Sequence, residues 1–119
     1  NISGGFIGIY IVRTNQEVYQ PIPVYEYLKW TTPPWQMILT NVYPMAIHYT
    51  NRLCMWIPDI PDTMDYYAKS GYIRAIFVSL FNYMPVTALA HLVTSPLYEI
   101  ELIGWYNGIP AMIVFRVKT

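Results

Sequence analysis

The chain has 119 residues, 55% hydrophobic and 17% aromatic, with seven basic side chains against seven acidic ones. Only 12% of its residues are charged, about half the share of an ordinary globular domain. Such a composition excludes intrinsic disorder, which needs low hydrophobicity and high net charge, and it speaks against nucleic-acid binding, which needs a basic surface to displace counterions. The length fits one domain over 1–119.

In chain order, Phe6 to Val12 is rich in β-branched and aromatic residues, and Thr14-Asn15-Gln16 separates it from a second β-rich stretch, Val18 to Tyr27. An N-terminal hairpin is expected. Pro21 and Pro23 lack the amide donor of a central strand, which makes the second stretch an edge strand or an extended arm. Gly4-Gly5 and Gly8 do not form a dinucleotide fingerprint, because the strand would follow the glycines instead of preceding them. Trp30 to Asn51 contains no Asp, Glu, Lys or Arg and is broken by Pro33, Pro34 and Pro44; without a clean period it reads as packed irregular structure.

A helix is expected from Asp62, which can serve as N-cap, with Asp65 three residues on. Ile73, Ile76, Phe77, Leu80, Phe81 and Met84 then fall on one helical stripe. Pro85 ends or kinks that helix, and Val86 to Val93 continues as a second piece until Ser95-Pro96. Tyr98 to Tyr106 and Ile109 to Val117 flank Asn107-Gly108, the strongest short hairpin signal because both turn residues tolerate positive φ. The fold class is therefore α+β, with N-terminal and C-terminal β-hairpins around a central amphipathic to apolar helical segment at about 62–93.

Ala75 to Tyr98 is a run of 24 uncharged residues, which as one helix would reach across a hydrocarbon core of about 30 Å. Membrane contact through this run is one expectation, although Asn82, Pro85, His91 and Ser95-Pro96 interrupt it with polar and helix-breaking groups. Buried packing of two helical pieces is the other.

Few side chains could do chemistry. Cys54 is the only cysteine, which closes off disulfide and multi-thiolate zinc scaffolds, and it reads as a small buried thiol. His91 stands in an apolar run, where one satisfied hydrogen bond explains it. Asp59, Asp62 and Asp65 lack the alternate spacing of a calcium loop, and helix capping accounts for two of them. No catalytic residue, cofactor or metal site is expected. Arg13 to Glu17, Ile57-Pro58-Asp59, Asp65-Tyr66 with Ser70-Gly71, and Glu101 with Gly104-Trp105 resemble scattered pieces of the acetoacetate decarboxylase superfamily. That family's Schiff-base lysine has no counterpart, since Asn107-Gly108 stands after the last motif, so no site residue is carried over.

The excess of twelve Tyr, four Trp and four Phe suits interfaces, headgroup belts and pocket walls, where an apolar body meets a wet tip. The leading expectation is a non-catalytic structural or accessory subunit of a larger protein or membrane-associated assembly, or a self-associating chain. It would bury Tyr25, Tyr27, Trp30 and Trp35 in the arm and Trp105 and Tyr106 at the hairpin tip. The alternative is a small enzyme or binding protein with an apolar, Tyr-lined pocket in which His48 and His91 orient a hydrophobic ligand. Compartment is left open.

Overall fold

A computed structural model of the chain describes residues 7–11, 16–18, 24–106 and 109–118. In chain order the elements are β1 (Ile7–Ile11), β2 (Gln16–Val18), α1 (Val24–Thr31), β3 (Met37–Thr40), α2 (Tyr43–Thr50), β4 (Cys54–Trp56), α3 (Pro61–Lys69), β5 (Ile73–Ser79), α4 (Val86–Thr94), β6 (Tyr98–Tyr106) and β7 (Ile109–Val117). The seven strands form one mixed sheet in the order β2-β1-β6-β7-β5-β3-β4. β3 pairs parallel with both β4 and β5, whereas β7 runs antiparallel between β5 and β6. β6 therefore points the same way as β3, β4 and β5.

Helices cover both faces of this mixed α and β fold. On one, Met64 and Ala68 of α3 and Ala88 and Leu92 of α4 pack on Leu39, Ile76, Val78 and Phe115. On the other, Val24 and Leu28 of α1 and Ala46 of α2 pack on Ile38, Ala75, Phe77 and Val114. Adjacent strand residues alternate between the clusters because successive side chains leave opposite faces of a strand. The chain steps from β3 to β4 on one side through α2, then to β5 on the other side through α3. Right-handed crossovers in opposite directions put those two helices on opposite faces.

Several expectations change. The C-terminal hairpin has the strands expected of it, and Asn107-Gly108 lies outside the described residues. The N-terminal pair exists as Ile7–Ile11 with Gln16–Val18, but the latter part of the expected edge strand or arm, from Val24, is helix α1, held by Val24 and Leu28 one turn apart, and residues 19–23 lie outside the described ones. The expected irregular span 30–51 contains the end of α1, β3 and α2. Pro44 lies in α2's first turn, where its missing N–H costs nothing, and Asn51 closes that helix at φ 53°, a conformation that asparagine tolerates.

The continuous helical segment 62–93 is the largest correction, since Ile73–Ser79 is a strand between two helices. Gly71, at φ +86°, ends α3 as only glycine does cheaply. The run after it is buried at nearly every position, and a central strand covered on both faces reads as an unbroken apolar block that periodicity does not separate from a helix. No described helix is long and apolar enough to cross a membrane, and Ala75 to Tyr98 is divided among β5, α4 and the start of β6. Asp62 is not the N-cap of α3; Ile60 is, with Pro61 following. Asp62 sits inside the first turn, where its charge complements the helix N-terminus.

Candidate functional site

In an open sheet with parallel strands, the turns after two neighbouring strands part where the winding direction reverses, leaving a crevice at their carboxyl ends. Here the reversal falls at β3, between β4 and β5. A crevice of about 630 Å³ opens there, with Trp56, Ile57, Pro58 and Asp59 on one wall, Asn82, Tyr83 and Pro85 on the other, and Asn41 at the base.

Asn41 follows β3 and is buried. Its Nδ2 donates to the Ser79 carbonyl at 2.9 Å and the Tyr83 carbonyl at 3.1 Å, and its Oδ1 accepts from the Ser79 amide at 2.8 Å. One side chain thus clamps the end of β5 and the turn beyond it. On the facing wall, Trp56 stacks on Tyr43 with ring centroids 5.5 Å apart and planes at 24°. Trp56 thus both stacks on Tyr43 and lines the crevice, and 58% of the residue is exposed. Tyr83 is 83% exposed. The arrangement offers aromatic area, one carboxylate and the Asn82 amide, whose Oδ1 accepts from the Ser79 hydroxyl at 2.7 Å, with no nucleophile and base in reach of each other among the lining residues.

A second polar cluster joins α3, α4 and β6. His91 Nε2 is 2.9 and 3.0 Å from the carboxylate oxygens of Asp65, and the Tyr98 hydroxyl donates to Asp65 Oδ1 at 2.7 Å. An ionised carboxylate only accepts, so Nε2 carries the proton. Burial alone would raise the Asp65 carboxyl, but the hydrogen bonds from Tyr98 and His91 and the charges of His91 and Lys69 leave it below its ordinary value. Burial first, and donation to Asp65 second, push the Tyr98 hydroxyl well above the ordinary phenol range.

The signs give a pH dependence. A depressed acid stabilises the fold above its unfolded value and loses that contribution as pH falls through the folded one. Asp65 therefore stabilises above about pH 4 and its share disappears in stronger acid. A raised acid does the reverse: the Tyr98 share is complete below about pH 10 and is lost as pH rises beyond it. Asp65→Asn is expected to flatten the acid limb of a plot of urea midpoint against pH and, because the burial of Tyr98 persists, only part of the alkaline one; an acid limb unchanged in that variant would contradict this origin.

The residues singled out in the sequence are dispersed. Trp30 and Trp35 are exposed, near the amino ends of the strands, whereas Tyr25 and Tyr27 are half-buried against the chain's own core, Tyr25 with its edge on Phe77 at 5.4 Å. These two tyrosines are not arm aromatics. Trp105 is near the end of β6, and the Tyr106 side chain lies outside the described ones. His48 and His91 stand on helices covering opposite faces and share no pocket, and neither lines the crevice. Cys54 is buried, donates to the Arg52 carbonyl at 3.4 Å, and has its thiol pushed up by burial, only partly offset by Thr50; this disfavours the reactive thiolate. No group of three or more His, Cys, Asp or Glu among the described residues could hold a metal ion. Sequence reasoning missed Asn41, Asn82 and Tyr83 as partners of Trp56. An Asn ending a short apolar block before a Pro-containing helix start was the available signal.

The fold and crevice define a class, a mixed α and β domain with an aromatic cleft at a strand-order reversal. No family model matches the chain, nor does any curated protein or solved structure.

Proposed function

We propose that the chain is a small non-catalytic binding protein that takes a ring-bearing or otherwise apolar small molecule in the crevice beyond β3, β4 and β5. The observation that carries this reading is the coincidence of the strand-order reversal with a concave site whose walls are aromatic and whose polar groups are few. Pockets for small molecules have this character, apolar area for affinity and a few polar groups for orientation. Single-ring fragments titrated into isotope-labelled chain are expected to shift the amides of Trp56, Ile57, Asp59, Asn82 and Tyr83. Trp56→Ala or Tyr83→Ala should weaken them about tenfold, the worth of one ring contact. Shifts scattered over the whole surface would defeat the reading.

A second reading, an accessory subunit covered by other protein subunits or by a copy of itself, is supported by the opposite end of the sheet. Trp30 and Trp35 are 80% and 67% exposed, and Leu53 and Tyr72 are exposed near the same strand ends. Scattered apolar side chains are ordinary, but large contiguous ones mark contact surfaces. On this reading a Trp30→Ser, Trp35→Ser double variant sediments as a smaller species than the parent chain; identical sedimentation would remove the self-association form of it.

A further inference from the structure

We propose that the crevice selects a small organic cation, an ammonium group carried on an apolar body, over neutral and anionic molecules of the same size. The proposal rests on the binding reading above and adds the charge of the ligand.

Three observations carry it. The first is the lining itself: Asp59 brings a carboxylate, Trp56 and Tyr83 bring rings, and no Lys, Arg or His is among the described lining residues. A cation placed over an aromatic face is attracted by the ring quadrupole, most strongly for Trp. Trp56 is already oriented by its stack on Tyr43, so little side-chain freedom is lost on binding.

The second is the sorting of charge along the strand direction. Of the seven Lys and Arg residues, Arg13 lies outside the described ones. The other six all lie toward the amino ends of β3, β4 and β5: Lys29 in the last turn of α1, Arg52 before β4, Lys69 in the last turn of α3, Arg74 at the start of β5, and Arg116 and Lys118 at the end of β7. That end also holds Glu99 and Glu101, each paired with one of these arginines, Arg116 and Arg74, whereas Asp59 and Asp62 lie at the opposite end, between β4 and the first turn of α3, with no described Lys or Arg there. A crevice with one sign of charge at its mouth concentrates ligands of the other sign.

The third concerns the anion alternative. Phosphate-binding turns at this position use glycines so that backbone amides can approach the ligand. The turns after β3, β4 and β5, residues 41–42, 57–60 and 80–85, contain no glycine. The N-termini of α2, α3 and α4 all follow these turns, those of α2 and α4 with no acid in the first turn, and each contributes about half a positive charge. Together they oppose a cation, but the two full charges of Asp59 and Asp62, the latter in the first turn of α3, exceed their sum.

The test uses three probes of nearly one size: benzylammonium, benzyl alcohol and benzoate, each titrated into the labelled full chain. Benzylammonium should shift the amides of Trp56, Ile57, Asp59, Asn82 and Tyr83 and bind roughly tenfold tighter than benzyl alcohol, with added salt narrowing the gap. Asp59→Asn and Trp56→Leu should each weaken the cation by about threefold. Benzyl alcohol or benzoate binding there as tightly as the cation, or an Asp59→Asn chain that holds the cation unchanged, overturns the charge selection and leaves the crevice reading standing. If none of the three moves those amides, both fail together.

Discussion

Replacing Glu101 by leucine is expected to lower the stability of the fold by about 3–5 kcal/mol, the cost of stranding the other half of a buried ion pair. Glu101 is only 4% exposed and Arg74 17%. The two carboxylate oxygens accept from Arg74 Nη1 and Nη2 at 3.1 and 3.0 Å, while Arg74 Nε donates to the Thr31 carbonyl at 3.1 Å. That carbonyl belongs to the last residue of α1, one of the orphan acceptors that a helix end leaves behind. Arg52 donates from Nε to the Thr32 carbonyl at 2.7 Å and from Nη2 to the Lys29 carbonyl at 3.2 Å. Two guanidinium groups thus close the carboxyl end of α1, and Glu101 neutralises the more buried of them. Urea unfolding of Glu101→Leu measures the loss. Adding Arg74→Met to it should return part of that loss, because an apolar pair needs no charge compensation, while the Thr31 carbonyl loses the donor that Arg74 supplied. A single variant that loses under about 1 kcal/mol would mean that Arg74 finds water without Glu101, the behaviour of a surface pair.

The second large effect is expected at Asn41. Asn41→Leu removes three hydrogen bonds and leaves the Ser79 amide and carbonyl without their side-chain partner. At about 1–3 kcal/mol for a buried group left unsatisfied, a loss of about 2–3 kcal/mol follows. Asn41→Asp should be no milder: a carboxylate still accepts from the Ser79 amide but faces the Ser79 and Tyr83 carbonyls with no proton to donate. Both variants free the turn beyond β5, which bears Asn82 and Tyr83. Amide exchange should therefore quicken at Ser79, and fragment binding in the crevice should weaken by more than the change in folded fraction explains. Normal exchange at Ser79 in a folded Asn41→Leu chain would contradict the clamp.

How far the sequence carries depends on whether the signal is local. The C-terminal hairpin is legible because Asn-Gly chemistry and β-rich flanks all lie within twenty residues of chain. α4 is legible for the same reason, bounded by Pro85 and Ser95-Pro96. β3 and β4, with four and three residues, are too short to show a period, and β5 shows the wrong one. Its Ile73, Ile76 and Phe77 match a helical stripe only because the strand is covered on both faces and almost every position is apolar.

The crevice was not legible at all. Asn41, Trp56, Asp59 and Tyr83 come from three separate turns, and nothing in their spacing announces that β3 lies between β4 and β5. Nor does any local rule predict that Asp65 would turn from the middle of α3 toward His91 and Tyr98, 26 and 33 residues away.

The sequence by itself determined a mixed α and β chain with few charges, together with the strands of the C-terminal hairpin and the final helix, because turn residues and prolines act over a few residues. Only the tertiary structure decided that the apolar block after Gly71 is a central strand and that the described lysines and arginines gather at one end of the sheet. The reason is that burial on two faces, and the meeting of turns at a strand-order reversal, arise from strand order, which no local stretch of chain encodes.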